Sequence, residues 1–189
     1  VELARALVEV TPPQFNHVFF TNSGSEANDT NVRLIQRYYA LLGKPAKKQI
    51  ISRRNAYHGS TIAAASLGGM SAMHKQTRGL DYIAKGDEVR EAGFVEGGDD
   101  SPEDFGIRVA RELEAKIDEL GQDNVAAFIA EPVQGSGGVI IPPDTYWPEI
   151  KRICRERDIL LVMDEVICGF GRTGNWFGCE TYDLEPDLL

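Results

Sequence analysis

Residues 159–166 read ILLVMDEV: five apolar side chains, then two carboxylates and a valine. A strand with one wet face alternates apolar and polar residues, and this stretch does not alternate, so it reads as a strand covered on both faces. Working outward, VAAFIAEPV (125–133) has the same texture and is broken by Pro132, and QIISR (49–53) is a third such run. HVFFT (17–21) reads as a fourth, short buried strand. Helical patterns lie between them. One runs from Ser25 to Leu42, with Leu34, Ile35, Tyr38, Leu41 and Leu42 as its apolar face and Gly43 closing it. SPEDFGIRVARELEAKIDELG (101–121) opens on Ser101 as cap and Pro102 in the first turn, and ends at Gly121. Asp144 is placed to cap a helix carrying Tyr146, Trp147, Ile150, Ile153 and Cys154, and YHGSTIAAASLG (57–68) reads as a turn into a short helix. Residues 71–101 have weak periodicity and read as a long excursion. Non-alternating strands separated by helices predict an α/β fold, with a mostly parallel central sheet and helices on both faces.

Composition bounds the function. At 42% hydrophobic and 26% charged, the chain is ordinary for a globular protein. No apolar run approaches the roughly 18–20 residues of a membrane-spanning helix, so no membrane partner is expected. A formal net charge of −9 argues against non-specific binding to nucleic acid, so an anionic ligand needs a local site. The three cysteines, Cys154, Cys168 and Cys179, have no short paired spacing. That argues against a disulfide framework or zinc site and for a reducing, cytoplasmic setting. Cys168 has apolar or glycine neighbours and reads as a filler thiol. The chain begins at Val1 inside an amphipathic helical pattern and stops at EPDLL, and is expected to be an internal segment of a longer protein.

Ligands of parallel α/β sheets bind beyond the carboxyl ends of the strands, and four polar features fall there: NSGSE (22–26), YHG (57–59), EPVQG (131–135) and DEV (164–166). In the first, Gly24 lets an anion approach a helix N-terminus, and Ser23 and Ser25 add hydroxyls. Ser23 and Glu26 also have the spacing of a capping box, which needs no ligand. Asp164 ends a buried strand and needs a partner: a protonated ring nitrogen, an arginine, or the amides of the following loop. Asp164 and Glu165 are a poor metal pair, because adjacent strand residues point to opposite faces. Tyr57 could lie flat on a planar ligand with His58 beside it, or simply pack its loop. Glu131 lines a pocket or is a solvated loop acid. Arg172, in GFGRTG (169–174), could pair with a buried acid or with a substrate carboxylate, and the buried acid is the expected partner. His17 and His74 have no supporting neighbours.

The motifs FFTNSGSEAND, YHGSTIAAASLGG, AEPVQGSGGVIIPP and LLVMDEVICGFGRTG follow one another across nearly the whole chain. In this order they resemble the class III aminotransferases, pyridoxal phosphate enzymes of fold type I, and most of all the ω-amino acid or amine:pyruvate branch. The resemblance implies that residues 1–189 are an incomplete large, cofactor-binding domain, without the catalytic-lysine segment or the C-terminal small domain. It implies that Gly24 and Ser25 hold the cofactor phosphate, Tyr57 stacks on the ring beside His58, Asp164 pairs with the pyridine nitrogen, and Val166 presses on the opposite ring face. Glu131 would sit on the substrate side, where relatives partner it with a mobile arginine. The Schiff-base lysine is expected just beyond Leu189, so no lysine of this chain is assigned and the segment alone is expected to be inactive. The parent would be a homodimer moving an amino group from an ω-amino acid, diamine or amine to a keto acid such as pyruvate. Ile167 stands where some branches carry glutamine, which weakens an ornithine-type reading. Two alternatives stay open: another fold type I pyridoxal phosphate enzyme, such as an aminomutase or a decarboxylating relative, and a non-catalytic subunit of this fold.

Overall fold

The computed structural model describes residues 1–76, 79–85 and 101–189. Four strands, β1 (Gln49–Ser52), β2 (Ile83–Lys85), β3 (Val125–Ala130) and β4 (Leu160–Met163), form one sheet in the order β2-β1-β3-β4. Every pairing is parallel, so all carboxyl ends lie along one rim. Ile51 faces Phe128 and Phe128 faces Leu161 across the ladder.

Both sheet faces are covered, as the unbroken apolar runs predicted. On one side Ile51, Phe128, Leu161 and Met163 pack with α5 (Pro102–Leu120) and α6 (Tyr146–Glu156) through Val109, Leu113, Ile117, Trp147 and Ile150. On the other, Ile50, Ala127, Ile129 and Val162 pack with α2 (Gly24–Leu41) and α3 (Ile62–Leu67) through Val32, Ile35, Tyr39 and Leu67. The remaining helices, α1 (Glu2–Val10), α4 (Ser71–His74) and α7 (Gly178–Thr181), are short. Local signals held best in α5: Ser101 Oγ accepts from the Asp104 amide, Pro102 sits in the first turn, and Gly121 ends the helix at a φ of 81°.

Four expectations are corrected. Residues 17–21 form no strand, and Phe19 and Phe20 are 72% and 54% exposed. A strand needs a neighbour for its backbone groups, and the outer edge of β4 is taken by Leu188, which pairs with Val162 and accepts from Met163 N at 3.0 Å. On α2 the buried side chains are Asn28, Val32, Ile35 and Tyr39, whereas Leu34, Tyr38, Leu41 and Leu42 are exposed. Two stripes at helical spacing share Ile35, and only the sheet's position selects between them. Asp144 does not cap α6: Thr145 stands at the cap, and Tyr146 N donates instead to Pro143 O at 3.0 Å. Finally, the excursion at 71–101 contains α4 and the edge strand β2; its residues 77–78 and 86–100 lie outside the described residues.

Candidate functional site

The loops after β1, β3 and β4 meet the N-terminus of α2 at the carboxyl rim and enclose a cavity of about 230 Å³. Gly24, Ser25, Tyr57, His58, Glu131, Asp164 and Val166, all singled out for binding, line it, whereas Ser23 does not. Gly59, Ser136 and Ile167 complete the wall. A second cavity, of about 350 Å³, shares Gly24, Asp164 and Val166 with the first and is also lined by Leu189.

At the α2 end, the cap expected from NSGSE forms. Ser23 Oγ accepts from Glu26 N at 3.2 Å, which is half of a capping box. Glu26 reaches one residue further back than such a box requires, its Oε2 accepting from Asn22 N at 2.9 Å. Ser25 Oγ accepts from Ser60 N at 3.0 Å, tying the helix to the YHG turn. The cap therefore satisfies Glu26 N, and among the described residues no hydrogen bond is seen from the amides of Gly24 and Ser25, at the positive end of an 18-residue helix. Gly59 closes the turn at a φ of 122°, and a Cβ there would stand 2.4 Å from Ser25 Oγ, so only glycine brings the two loops this close.

Asp164 lies on the cavity floor with its side chain 6% exposed. Its Oδ2 accepts from His58 Nδ1 at 2.9 Å and from Asn28 Nδ2 at 3.2 Å, and its Oδ1 from Val166 N at 3.2 Å. Burial pushes the carboxyl up, but the His58 contact, the Val166 amide and Asn28 outweigh it and hold Asp164 below the usual carboxylate range. An ionised carboxylate only accepts, so Nδ1 of His58 carries the proton. His58 Nε2 is buried with no partner among the described residues. Asn28, which sequence reasoning missed, also donates to His58 O at 2.9 Å and so holds both members of the pair. Its only signal is position: it stands four residues before Val32, on the face that proves to be buried.

Glu131 is 3% exposed, which removes the solvated-loop reading. Its Oε1 accepts from Tyr57 N at 3.1 Å and its Oε2 from Gly135 N at 2.9 Å. Glu165 turns away from Asp164 and accepts from Gly178 N and Cys179 N at 2.8 and 2.7 Å, capping α7; burial pushes its carboxyl up. Among the described residues no group of three or more His, Cys, Asp and Glu side chains could hold a metal ion. Cys168 is buried, with its thiol pushed up by burial, as a filler residue would be. Arg172 is exposed and forms no ion pair among the described residues, so its expected pairing with a buried acid is not seen. Among the described residues no lysine lines the cavity.

Chemically, the cavity brings together a helix N-terminus, an aromatic ring, an aliphatic side chain and a buried carboxylate. The family model described as Aminotransferase class-III matches residues 1–189. A putrescine–pyruvate aminotransferase from Pseudomonas aeruginosa is 56% identical over all of this chain, which spans 41% of that protein. A gamma aminobutyrate transaminase 2 from Solanum lycopersicum is 47% identical, with the chain spanning 42% of it. Among solved structures, an omega transaminase from Pseudomonas jessenii in complex with PMP matches with a TM-score of 0.91 and 48% identity, covering 100% of this chain and 42% of that one.

Proposed function

This chain belongs to the class III aminotransferases, and on that premise we propose that the protein containing it moves an amino group from an ω-amino acid, diamine or amine to a keto acid, with pyruvate as acceptor and pyridoxal 5'-phosphate as cofactor. The observation that carries the reading is the convergence of Gly24, Ser25, Tyr57, His58, Asp164 and Val166, drawn from three loops and a helix end, on one cavity. The donor set fits the cofactor. The amides of Gly24 and Ser25 suit a phosphate, the Tyr57 ring and Val166 suit the faces of a flat heterocycle, and the buried, ionised Asp164 suits a protonated ring nitrogen.

When bound, the cofactor supplies an electron-accepting ring for the exchange of nitrogen between amine and carbonyl. The chain's own residues orient it and set its charge. Asp164 presents a negative charge whose geometry is fixed by three donors, so little reorganisation is needed when a ring N–H meets it. His58, with its Nδ1 proton on Asp164, holds that carboxylate in line. The α2 dipole and the Gly24 and Ser25 amides would hold a phosphate, and Tyr57 and Val166 would offer their side chains to a flat ring. The group that moves the substrate proton is proposed to be the lysine expected after Leu189; support comes from Leu189 lining the cavity that shares Gly24, Asp164 and Val166 with the smaller one.

A homodimer is part of the proposal. It is supported by the exposed apolar stripe of Leu34, Tyr38, Leu41 and Leu42 on α2 and by exposed Phe19 and Phe20. A cytoplasmic setting is proposed from the three unpaired, buried cysteines. The relative from Pseudomonas aeruginosa makes putrescine the first donor to try. The test uses the full-length protein, titrated with pyridoxal phosphate and then supplied with putrescine or an ω-amino acid together with pyruvate. The expected result is cofactor uptake and alanine formed in step with donor loss. Rearranged or decarboxylated donor without any need for pyruvate would move the assignment to another enzyme of this fold.

A further inference from the structure

We propose that Asp29 is a positioning residue of the cofactor site: from the second turn of α2 it caps α3 in place of that helix's own cap residue, and so holds the turn that carries Tyr57 and His58. The inference rests on the aminotransferase reading and adds a residue to it. Thr61 stands at the cap position of α3 and makes no side-chain capping bond to that helix. Its hydroxyl donates instead to Asp29 Oδ1 at 2.7 Å. The same oxygen accepts from Ala64 N at 3.2 Å, the third amide of α3 and one that a cap side chain ordinarily takes. The cap of α3 is therefore a carboxylate 35 residues away in sequence.

Ser25, Asn28 and Asp29 stand at i, i+3 and i+4 on one face of α2, and each holds part of the segment 58–64. Ser25 Oγ accepts from Ser60 N at 3.0 Å, and Asn28 Nδ2 donates to His58 O at 2.9 Å. A helix of six residues has little stability of its own, so α3 and the turn before it take their position from α2. The contact leaves no slack, since a Cβ on Gly59 would stand 2.4 Å from Ser25 Oγ and 2.9 Å from Ala64 Cβ. Ser25 and Asn28 also line the two rim cavities, whereas Asp29 lines neither. Asp29 thus acts on the site through the turn alone. Losing it loosens the wall formed by Tyr57 and His58 and leaves the Gly24 and Ser25 amides where they are.

The experiment measures the dissociation constants of pyridoxal phosphate and of inorganic phosphate for the full-length apoprotein and for its D29A and D29N variants. Alanine removes both hydrogen bonds, whereas asparagine keeps an oxygen for Thr61 and Ala64 and caps as well as aspartate. D29A is expected to weaken pyridoxal phosphate about fivefold, as the held turn becomes less populated, and to change inorganic phosphate by less than about twofold. D29N is expected to stay within about twofold of wild type for both ligands. Equal effects on the two ligands in D29A overturn the proposal, as does a D29N variant no better than D29A. A second measurement needs no variant and decides the matter if D29A does not fold. Hydrogen exchange at the Ala64 amide of the wild-type protein is expected to slow several-fold on adding pyridoxal phosphate and by less than about twofold on saturating with inorganic phosphate. No slowing with pyridoxal phosphate, or equal slowing with both, overturns the positioning role. A wild-type protein that takes up no pyridoxal phosphate at all overturns the aminotransferase reading itself, a result distinct from either failure of the cap.

Discussion

At the scale of single residues, the site depends on one charge and the groups that keep it. Replacing Asp164 with asparagine preserves shape and removes the anion, so D164N is expected to lower kcat/KM of the full-length enzyme by about 10²-fold or more while the protein stays folded. Steady-state kinetics with cofactor saturating checks this. The pH dependence has a definite sign. The folded carboxyl lies below its ordinary range, so its contribution is fully present above about pH 4, where an unfolded aspartate ionises, and is lost as pH falls through the depressed folded value. Acid titration of the apoprotein is expected to show a shallower loss of stability below about pH 4 in D164N than in wild type. The thiols give a second check: Cys154, Cys168 and Cys179 are buried, with pKa values raised by burial, that of Cys179 to about 12. Alkylation mapped by mass spectrometry is expected to leave all three unmodified in the native protein and modify all three once it is unfolded. That Asp164 would be buried was legible, because it closes an apolar run. Its partners were not: His58 and Asn28 lie 106 and 136 residues away in sequence, and a mid-helix asparagine carries no local mark of burial.

At the scale of elements, local chemistry was readable and packing was not. The ends of α5 follow from Ser101, Pro102 and Gly121, and S101A is expected to cost about 1 kcal/mol in urea unfolding, the worth of a lost cap. Gly106 in the same helix sets propensity against contact. Alanine is the better helix former by about 1 kcal/mol, yet a Cβ at this position would stand 2.3 Å from Thr145 Oγ1 and 3.0 Å from Pro143 Cβ, where α5 crosses the start of α6. Contact is expected to win, with G106A destabilising by about 1–3 kcal/mol, and a stabilised variant would count against the observed crossing. The α2 face shows the converse. Its two apolar stripes are equally good helical patterns, and nothing within the helix says that the sheet takes Val32, Ile35 and Tyr39 and leaves Leu34, Tyr38 and Leu41 outside.

At the scale of the molecule, the unburied stripe is the feature with a consequence. On the proposed homodimer, L41D in the full-length protein is expected to weaken self-association, read as a shift from dimer to monomer in light scattering at micromolar concentration, because an ionised carboxylate in the proposed interface would have no partner. The same scale separates what the chain's order of residues determined from what folding decided. Unbroken apolar runs determined that this is a parallel sheet covered on both faces, and polar clusters at the run ends determined which loops would carry a site, since both properties are encoded within a few neighbouring residues. Tertiary structure alone decided that HVFFT finds no neighbouring strand, that Glu131 is buried between two amides, that Arg172 is exposed, and that His58 and Asn28 share Asp164. Each of these depends on groups distant in sequence meeting in one dry place, where an unpaired polar atom is costly and only the assembled sheet settles which partner is within reach.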